Sequence, residues 1–366
     1  MKQKQQVSHK ISIVIMAGGR GERFWPRSRV GRPKQFADLT GKGSMLYLTY
    51  NRALKLVPPE RIFVVTGAEY REVTKECLPE LPQENIIIEP EGRNTAPCIG
   101  LAAVTLEQRQ PGAIMAVLPA DHLITGENEF VGALEVAAGL AEETGGLVTV
   151  GIRPDRPETG YGYLRVGKPS STADGKTVYR VDSFVEKPDP VRAQLYLQDG
   201  GYLWNAGIFV WQASAVLDEF SNHLPGIYAG LQQICSYLGT EKYEEVLQRI
   251  YPCLDKISID YGIMEKADRV YTVPGEFHWD DVGTWMSLER VFGTDNNGNM
   301  FRGKVVSLNT ENSIIDSSGR MVALIGVKDL VIVETDDVTF VCHKNETDRV
   351  RELLEELRRL NMEEYL

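Results

Sequence analysis

The chain has 366 residues, 43% hydrophobic and 25% charged, with a net charge of −11. That size and balance fit a globular protein of two domains, or one large α/β domain with an appendix. They argue against a general nucleic-acid binder, which would carry a basic domain. No apolar run nears the ~20 residues of a membrane helix.

The opening MKQKQQVSHK is polar and lacks the apolar centre of a secretory signal, so a cytoplasmic location is expected. The five cysteines, Cys77, Cys98, Cys235, Cys253 and Cys342, are scattered and form no C-x-x-C pair. That spacing predicts neither a zinc site nor a disulfide framework, and a reducing compartment fits it.

In chain order, ISIVIMA (11–17), RIFVVTG (61–67), NIIIEP (85–90), AIMAVLPAD (113–121) and GLVTVGI (146–152) read as strands. Their unbroken apolar character suits a parallel sheet covered on both faces. SMLYLTYNRALKLV, APCIGLAAVTLEQRQ and FVGALEVAAGLAEET lie between them with helical spacing. Such alternation predicts a doubly wound α/β sheet. After Gly160, GYGYLRVGK and VYRVDSFVEKP read as antiparallel or edge strands around the polar turn PSSTADGK. WNAGIFVWQASAVLDEF reads as a strand entering a helix, and two helical segments follow to about Ile250. From 293 onward short β runs dominate, closed by one amphipathic helix, and no clean repeat period is visible. The expected division is 1–292 and 293–366.

The first strand runs into MAGGRGERFWPRSR, where Gly18, Gly19 and Gly21 let backbone N–H groups approach phosphates. The dinucleotide fingerprint fails, because Gly19, Gly21 and Phe24 give G-x-G-x-x-F, and no Walker motif is present. That weakens an NAD-dependent dehydrogenase. Arg20, Arg23, Arg27, Arg29, Arg32 and Lys34 follow. Arg23 and Lys34 flank the loop as candidates to stabilise phosphoryl charge. Arg27, Arg29 and Arg32 read equally as phosphate contacts or as a solvated basic loop.

The stretch AGGRGERFWPRSRVGRPKQF resembles the opening of the sugar-nucleotide pyrophosphorylases, specifically the mannose-1-phosphate guanylyltransferases. EPEGRNTAP, LPADH, TGYGYL, FVEKPD, WNAGIFVW, SIDYGIMEK and WDDVGTW follow in that family's order, across roughly residues 11–290. The resemblance implies a Rossmann-like nucleotidyltransferase sheet with helices on both faces, and a small C-terminal β domain, for which a left-handed β-helix is open. It implies GTP and mannose 1-phosphate as substrates, GDP-mannose and pyrophosphate as products, and Mg²⁺ (or Mn²⁺) as cofactor. A homodimer is expected, with neither membrane nor nucleic acid as partner.

Carried onto this chain, the resemblance makes Arg23, Lys34 and Lys187 catalytic. Gly18, Gly19, Arg20, Gly21, Glu89, Arg93, Asn94 and Thr95 become nucleotide contacts. Glu89 would read guanine, its alternative being a solvent-facing strand-end glutamate, and Thr95 has a helix-capping alternative. Gly162, Glu186 and Asn205 would hold the sugar phosphate. Asp121 and Asp281 would hold the metal, with Asp280 orienting the loop. His122 and His278 read as neighbours that support the metal ligands or as structural residues, because Mg²⁺ disfavours imidazole. Trp204 and Trp211 read as core, while Tyr261 and Glu265 read equally as site and as packing. Three other readings stay open: a sister enzyme for another nucleotide or hexose, a non-catalytic nucleotide-sugar sensor, and, most weakly, the dehydrogenase. Longer relatives add an isomerase domain. The tail here holds only His343, so no isomerase activity is expected.

Overall fold

A computed structural model describes residues 10–173 and 176–366. The polar N-terminal stretch 1–9 and the turn residues 174–175 lie outside the described residues. The strands are β1 (Ile11–Met16), β2 (Ile62–Gly67), β3 (Ile86–Glu89), β4 (Ile114–Pro119), β5 (Leu123–Thr125), β6 (Leu147–Ile152), β7 (Gly162–Ala173), β8 (Lys176–Glu186) and β9 (Tyr202–Gln212). They continue with β10 (Val270–Pro274), β11 (His278–Asp280), β12 (Met300–Arg302), β13 (Val305–Leu308), β14 (Ile314–Ser317), β15 (Val322–Ile325), β16 (Leu330–Glu334) and β17 (Thr339–His343).

Contacts group the chain into two compact units. The larger holds residues up to 18, 48–120 and 124–279, and the smaller holds 19–47, 121–123 and 280–366. The expected division at 292/293 follows chain order. The compact units do not, because the glycine-loop segment groups with the C-terminal residues.

The larger unit is built on a nine-stranded sheet, ordered β3-β2-β1-β4-β9-β6-β10-β8-β7. β1 pairs in parallel with β2 and β4, with Met16 opposite Val65 and Pro119. The chain winds to one side of β1 and then crosses to β4 on the other. This reversal is the switch point at which open α/β sheets collect ligands beyond the strands' carboxyl ends.

Val14, Phe63, Met115, Val117, Phe209 and Trp211 share one cluster with Ile99 and Ala102 of the helix Thr95–Arg109. Ile13, Ile15, Ala116 and Val210, which alternate with them, are equally buried. A second layer therefore covers the other face, where the helix Glu127–Thr144 packs on β4, β6, β9 and β10. Periodicity did not reveal strand direction. β9 runs antiparallel between β4 and β6, and its run YLWNAGIFVWQ is as apolar as a parallel strand because it too is covered on both faces. Three helices follow β9, Ala213–His223, Pro225–Cys235 and Tyr243–Ile250, matching the helix entered from the strand and the two further segments read from the sequence.

The smaller unit contains stacked β coils. β12, β14 and β16 pair in parallel, and so do β13 and β15. Met300 faces Ile314, and Ile314 faces Val331. These unequal offsets hide the period from the sequence. Ile315, Leu324 and Ile332 form the small core of the coils, and the amphipathic helix Val350–Arg359 follows them.

Candidate active site

In the smaller unit the glycine loop borders a cavity of ≈ 300 Å³. Gly21, Arg23, Lys34, Asp121, Asp281 and Arg351 are among its lining residues. Gly21 has φ +59°, and a Cβ there would lie 2.5 Å from the Lys34 Cβ. Only glycine fits that backbone and that approach. Lys34 is 4% exposed, and its ammonium donates to Asp121 Oδ2 at 2.8 Å and to the Asp281 carbonyl at 2.7 Å. Burial would raise the Asp121 carboxyl, but Lys34 and His122 outweigh it and hold the group below its ordinary value. Asp121 is therefore a carboxylate at neutral pH, and Lys34 ties it to the backbone that carries Asp281.

Asp280 and Asp281 have different surroundings. Asp280 is buried, takes Arg290 Nε at 2.7 Å, and accepts the Val282 N–H at 2.8 Å. Asp281 lines the cavity and accepts from Gly283 N at 3.2 Å. Between them and the glycine, Val282 has φ +47°, an unfavourable conformation for a β-branched residue. Asp281 thus lines the cavity while Asp280 is held by Arg290.

The basic loop after the glycines is largely engaged with the C-terminal segment of the same unit. Arg27 donates to both oxygens of Asp316, at 2.6 and 2.8 Å, and to Ser318. Arg302 grips the same carboxylate from another side, at 2.6 and 2.7 Å. Burial would raise Asp316, but these two guanidiniums hold it below the usual carboxylate range. Arg29 bonds the Pro26 and Tyr365 carbonyls and Asp337. Arg32 is exposed and donates to the Phe36 carbonyl. Trp25, which precedes a cis proline, donates to the Tyr365 carbonyl and packs edge-on against Phe340.

The larger unit holds two further groups. In the first, Glu89 ends β3, and a Cβ on Gly18 would lie 3.2 Å from its Oε2. Glu89 is 3% exposed, so the alternative of a solvent-facing glutamate does not hold. Tyr251 OH donates to it, and burial pushes its carboxyl up to about 7 against the hydrogen bonds of Tyr251 and Cys98. Asn94 caps the following helix by accepting from Thr95 N, so the capping role falls to Asn94 rather than Thr95. Thr95 Oγ1 instead accepts from Ile259 N at 2.9 Å. Arg93 pairs with Glu91, and its buried Nε has no hydrogen-bond partner among the described residues.

In the second group, Asn205 has three protein partners and keeps one amide hydrogen unassigned. Its Nδ2 donates to Asp260, and its Oδ1 accepts from Thr149 and Gly207. A Cβ on Gly162 would lie 2.4 Å from Glu186 Oε2, so a side chain there would displace that carboxyl. Lys187 Nζ lies 3.4 Å from Glu186, and Glu265 accepts the Glu186 N–H. Burial, then the neighbouring Asp260, raises Glu186 to about 7, and burial raises Asp260 to about 6. Trp204 and Trp211 are buried core residues, as read from the sequence. Tyr261 is exposed, and His278 is exposed at the start of β11.

Residues 12–298 match the family described as nucleotidyl transferase, and residues 303–357 match the mannoseP isomerase/GMP-like beta-helix domain. The chain belongs to the nucleotidyl transferase family. The mannose-1-phosphate guanylyltransferase of Escherichia coli K12 is 38% identical over 354 residues, 95% of this chain and 74% of that protein. Alginate biosynthesis protein AlgA of Pseudomonas aeruginosa is 38% identical over 350 residues, covering 94% and 71%. A crystal structure described as a mannose-1-phosphate geranyltransferase from Thermus thermophilus matches with a TM-score of 0.85 at 38% identity, over 95% of this chain and 99% of that one.

Two residues of this nucleotidyl transferase escaped sequence reasoning. Asp260 lies inside SIDYGIMEK, at the start of a π-helical turn, where Tyr261 and Glu265 draw the attention instead. Arg351 lies in an ordinary charged helix, where no local signal marks it.

Proposed function

We propose that this nucleotidyl transferase moves GMP from GTP to α-D-mannose 1-phosphate, releasing pyrophosphate. A sugar-phosphate oxygen attacks the α-phosphorus in line, a P–O bond forms, and the bond to the β-phosphate oxygen breaks. The observation that carries the reading is near-full-length identity to guanylyltransferases, joined to a glycine-loop cavity lined by cations and two aspartates.

No protein nucleophile is needed, so catalysis rests on positioning and charge. Gly18, Gly19, Arg20 and Gly21 cradle the triphosphate, and Arg23 stabilises developing charge. Lys34 acts at one remove, keeping Asp121 ionised and fixed to the Asp281 backbone. Two carboxylates on one cavity suit Mg²⁺, which takes one or two carboxylates plus phosphate oxygens. Asp121 and Asp281 would hold it, and when bound it neutralises phosphate charge. Glu89 accepts the guanine N1–H and N2–H₂ pair, with Arg93, Asn94 and Thr95 beside the nucleoside. Gly162, Glu186 and Asn205 take the hexose, and Lys187 its phosphate. The reading includes a cytoplasmic homodimer, and no helix among the described residues is long and apolar enough to cross a membrane.

The test is pyrophosphate release over four nucleoside triphosphates and several hexose 1-phosphates. GTP with mannose 1-phosphate should give the highest kcat/KM. Equal or better turnover with another pair would assign a sister activity, and no turnover with any pair would favour a sensor.

A further inference from the structure

We propose that Arg351, on the helix Val350–Arg359, binds the terminal phosphates of the incoming triphosphate and the pyrophosphate that leaves. The inference deepens the function proposed above and rests on it. A triphosphate brings several negative charges to a cavity that already holds the carboxylates of Asp121 and Asp281. The sequence supplies six cations after β1, but most are committed elsewhere. The Lys34 ammonium is held by Asp121 and the Asp281 carbonyl. Arg27 is bound to Asp316 and Arg29 to Asp337, while Arg32 turns to the Phe36 carbonyl. Of the six, Arg23 and Lys34 line the cavity, and Arg351 joins them from the other end of the chain.

Arg351 is held loosely enough to change partner. Its side chain is 62% exposed, and its Nε lies 3.5 Å from Glu22 Oε2. An exposed pair of that kind contributes little to stability. Glu22 has a second partner, Arg358 at 3.6 Å, so it stays neutralised when Arg351 leaves. A guanidinium moving from such a carboxylate to a phosphate gains a planar, charge-assisted contact. The start of its helix is anchored: Lys344, in the turn before it, is buried and bonds Glu289 and Asn312. Arg351 is thus a mobile side chain on a fixed element.

The experiment compares Arg351→Ala, Arg351→Lys and Arg358→Ala in both reaction directions, with calorimetric binding of inorganic pyrophosphate to each protein. Arg351→Ala should raise KM for GTP and for pyrophosphate, and weaken pyrophosphate binding, by about tenfold or more, the loss of one charge-assisted contact. KM for mannose 1-phosphate and for GDP-mannose should not change, and Arg351→Lys should recover part of the loss. Arg358→Ala also removes a Glu22 partner and should leave these constants as they are. Wild-type pyrophosphate affinity in Arg351→Ala, or an equal loss in Arg358→Ala, would overturn the proposal. A wild-type protein that binds pyrophosphate through Arg351 but fails to turn over GTP with mannose 1-phosphate would instead refute the proposed function.

Discussion

Glu89 shows what a motif reveals about a residue and what it leaves out. Its place at the end of a strand in EPEGRNTAP makes it, through the family resemblance, the proposed reader of the base, yet nothing in that stretch indicates burial beneath Gly18 and against Tyr251, 162 positions away. Burial raises its carboxyl to about 7, so between the ordinary glutamate value and 7 the folded protein keeps a proton that the unfolded chain releases. Its contribution to stability is complete below that window and lost as pH rises through 7. Glu89→Gln should remove this dependence from the denaturation midpoint and reduce the preference for GTP over ATP. Unchanged selectivity would remove Glu89 as the guanine reader. Lys34 was legible as a candidate residue but not in its geometry. A sequence places a lysine beside a glycine loop without saying that its ammonium faces Asp121, because that contact is made by chain folding across 87 positions.

At the scale of elements, the strands of the larger unit were the most legible part, since each is a local run of buried apolar residues bounded by turns. Strand direction was not, because direction depends on which neighbour a strand joins, and β9 is apolar on both faces whichever way it runs. The basic loop was the least legible. The partners of Arg27 and Arg29 lie about 300 positions later, at Asp316 and Asp337, so local sequence could not choose between solvent, phosphate and protein. The Asp316 side chain is fully buried between two arginines. Removing one side of a buried ion pair leaves uncompensated charge and costs about 3–5 kcal/mol. Asp316→Ala should therefore lower the unfolding free energy from urea titration by an amount of that order, with a lower midpoint, and lower kcat, since Arg27 lies on the segment between the glycine loop and Lys34. A midpoint equal to wild type would show that the clamp contributes nothing.

At the scale of the whole molecule, five carboxyls shifted in opposite directions divide by unit. In the larger unit burial lifts Glu89 and Glu186 to about 7 and Asp260 to about 6. In the smaller unit the half-buried Asp121 and the buried Asp316 are held low, by Lys34 and by the paired arginines. The signs are opposite. The raised groups favour folding at low pH and lose that contribution as pH climbs through 6–7. The lowered groups contribute above the ordinary aspartate value and lose it as pH falls. Hydrogen exchange, corrected for its intrinsic pH dependence, should show protection around 86–98 and 186–205 falling from pH 5 to 8. Segments 300–334 should instead lose protection from pH 5 toward 3. Parallel loss in both units at either end would contradict the division. The smaller unit also bears on protein engineering, because its members are scattered along the chain while its clamp is local in space. A designer who exchanges the β coils for those of a relative, cutting at a convenient linker near 293, would leave Arg27 and Arg29 behind without their carboxylates. The exchangeable module is the discontinuous set, and a graft succeeds only when the basic loop travels with Arg302, Asp316 and Asp337.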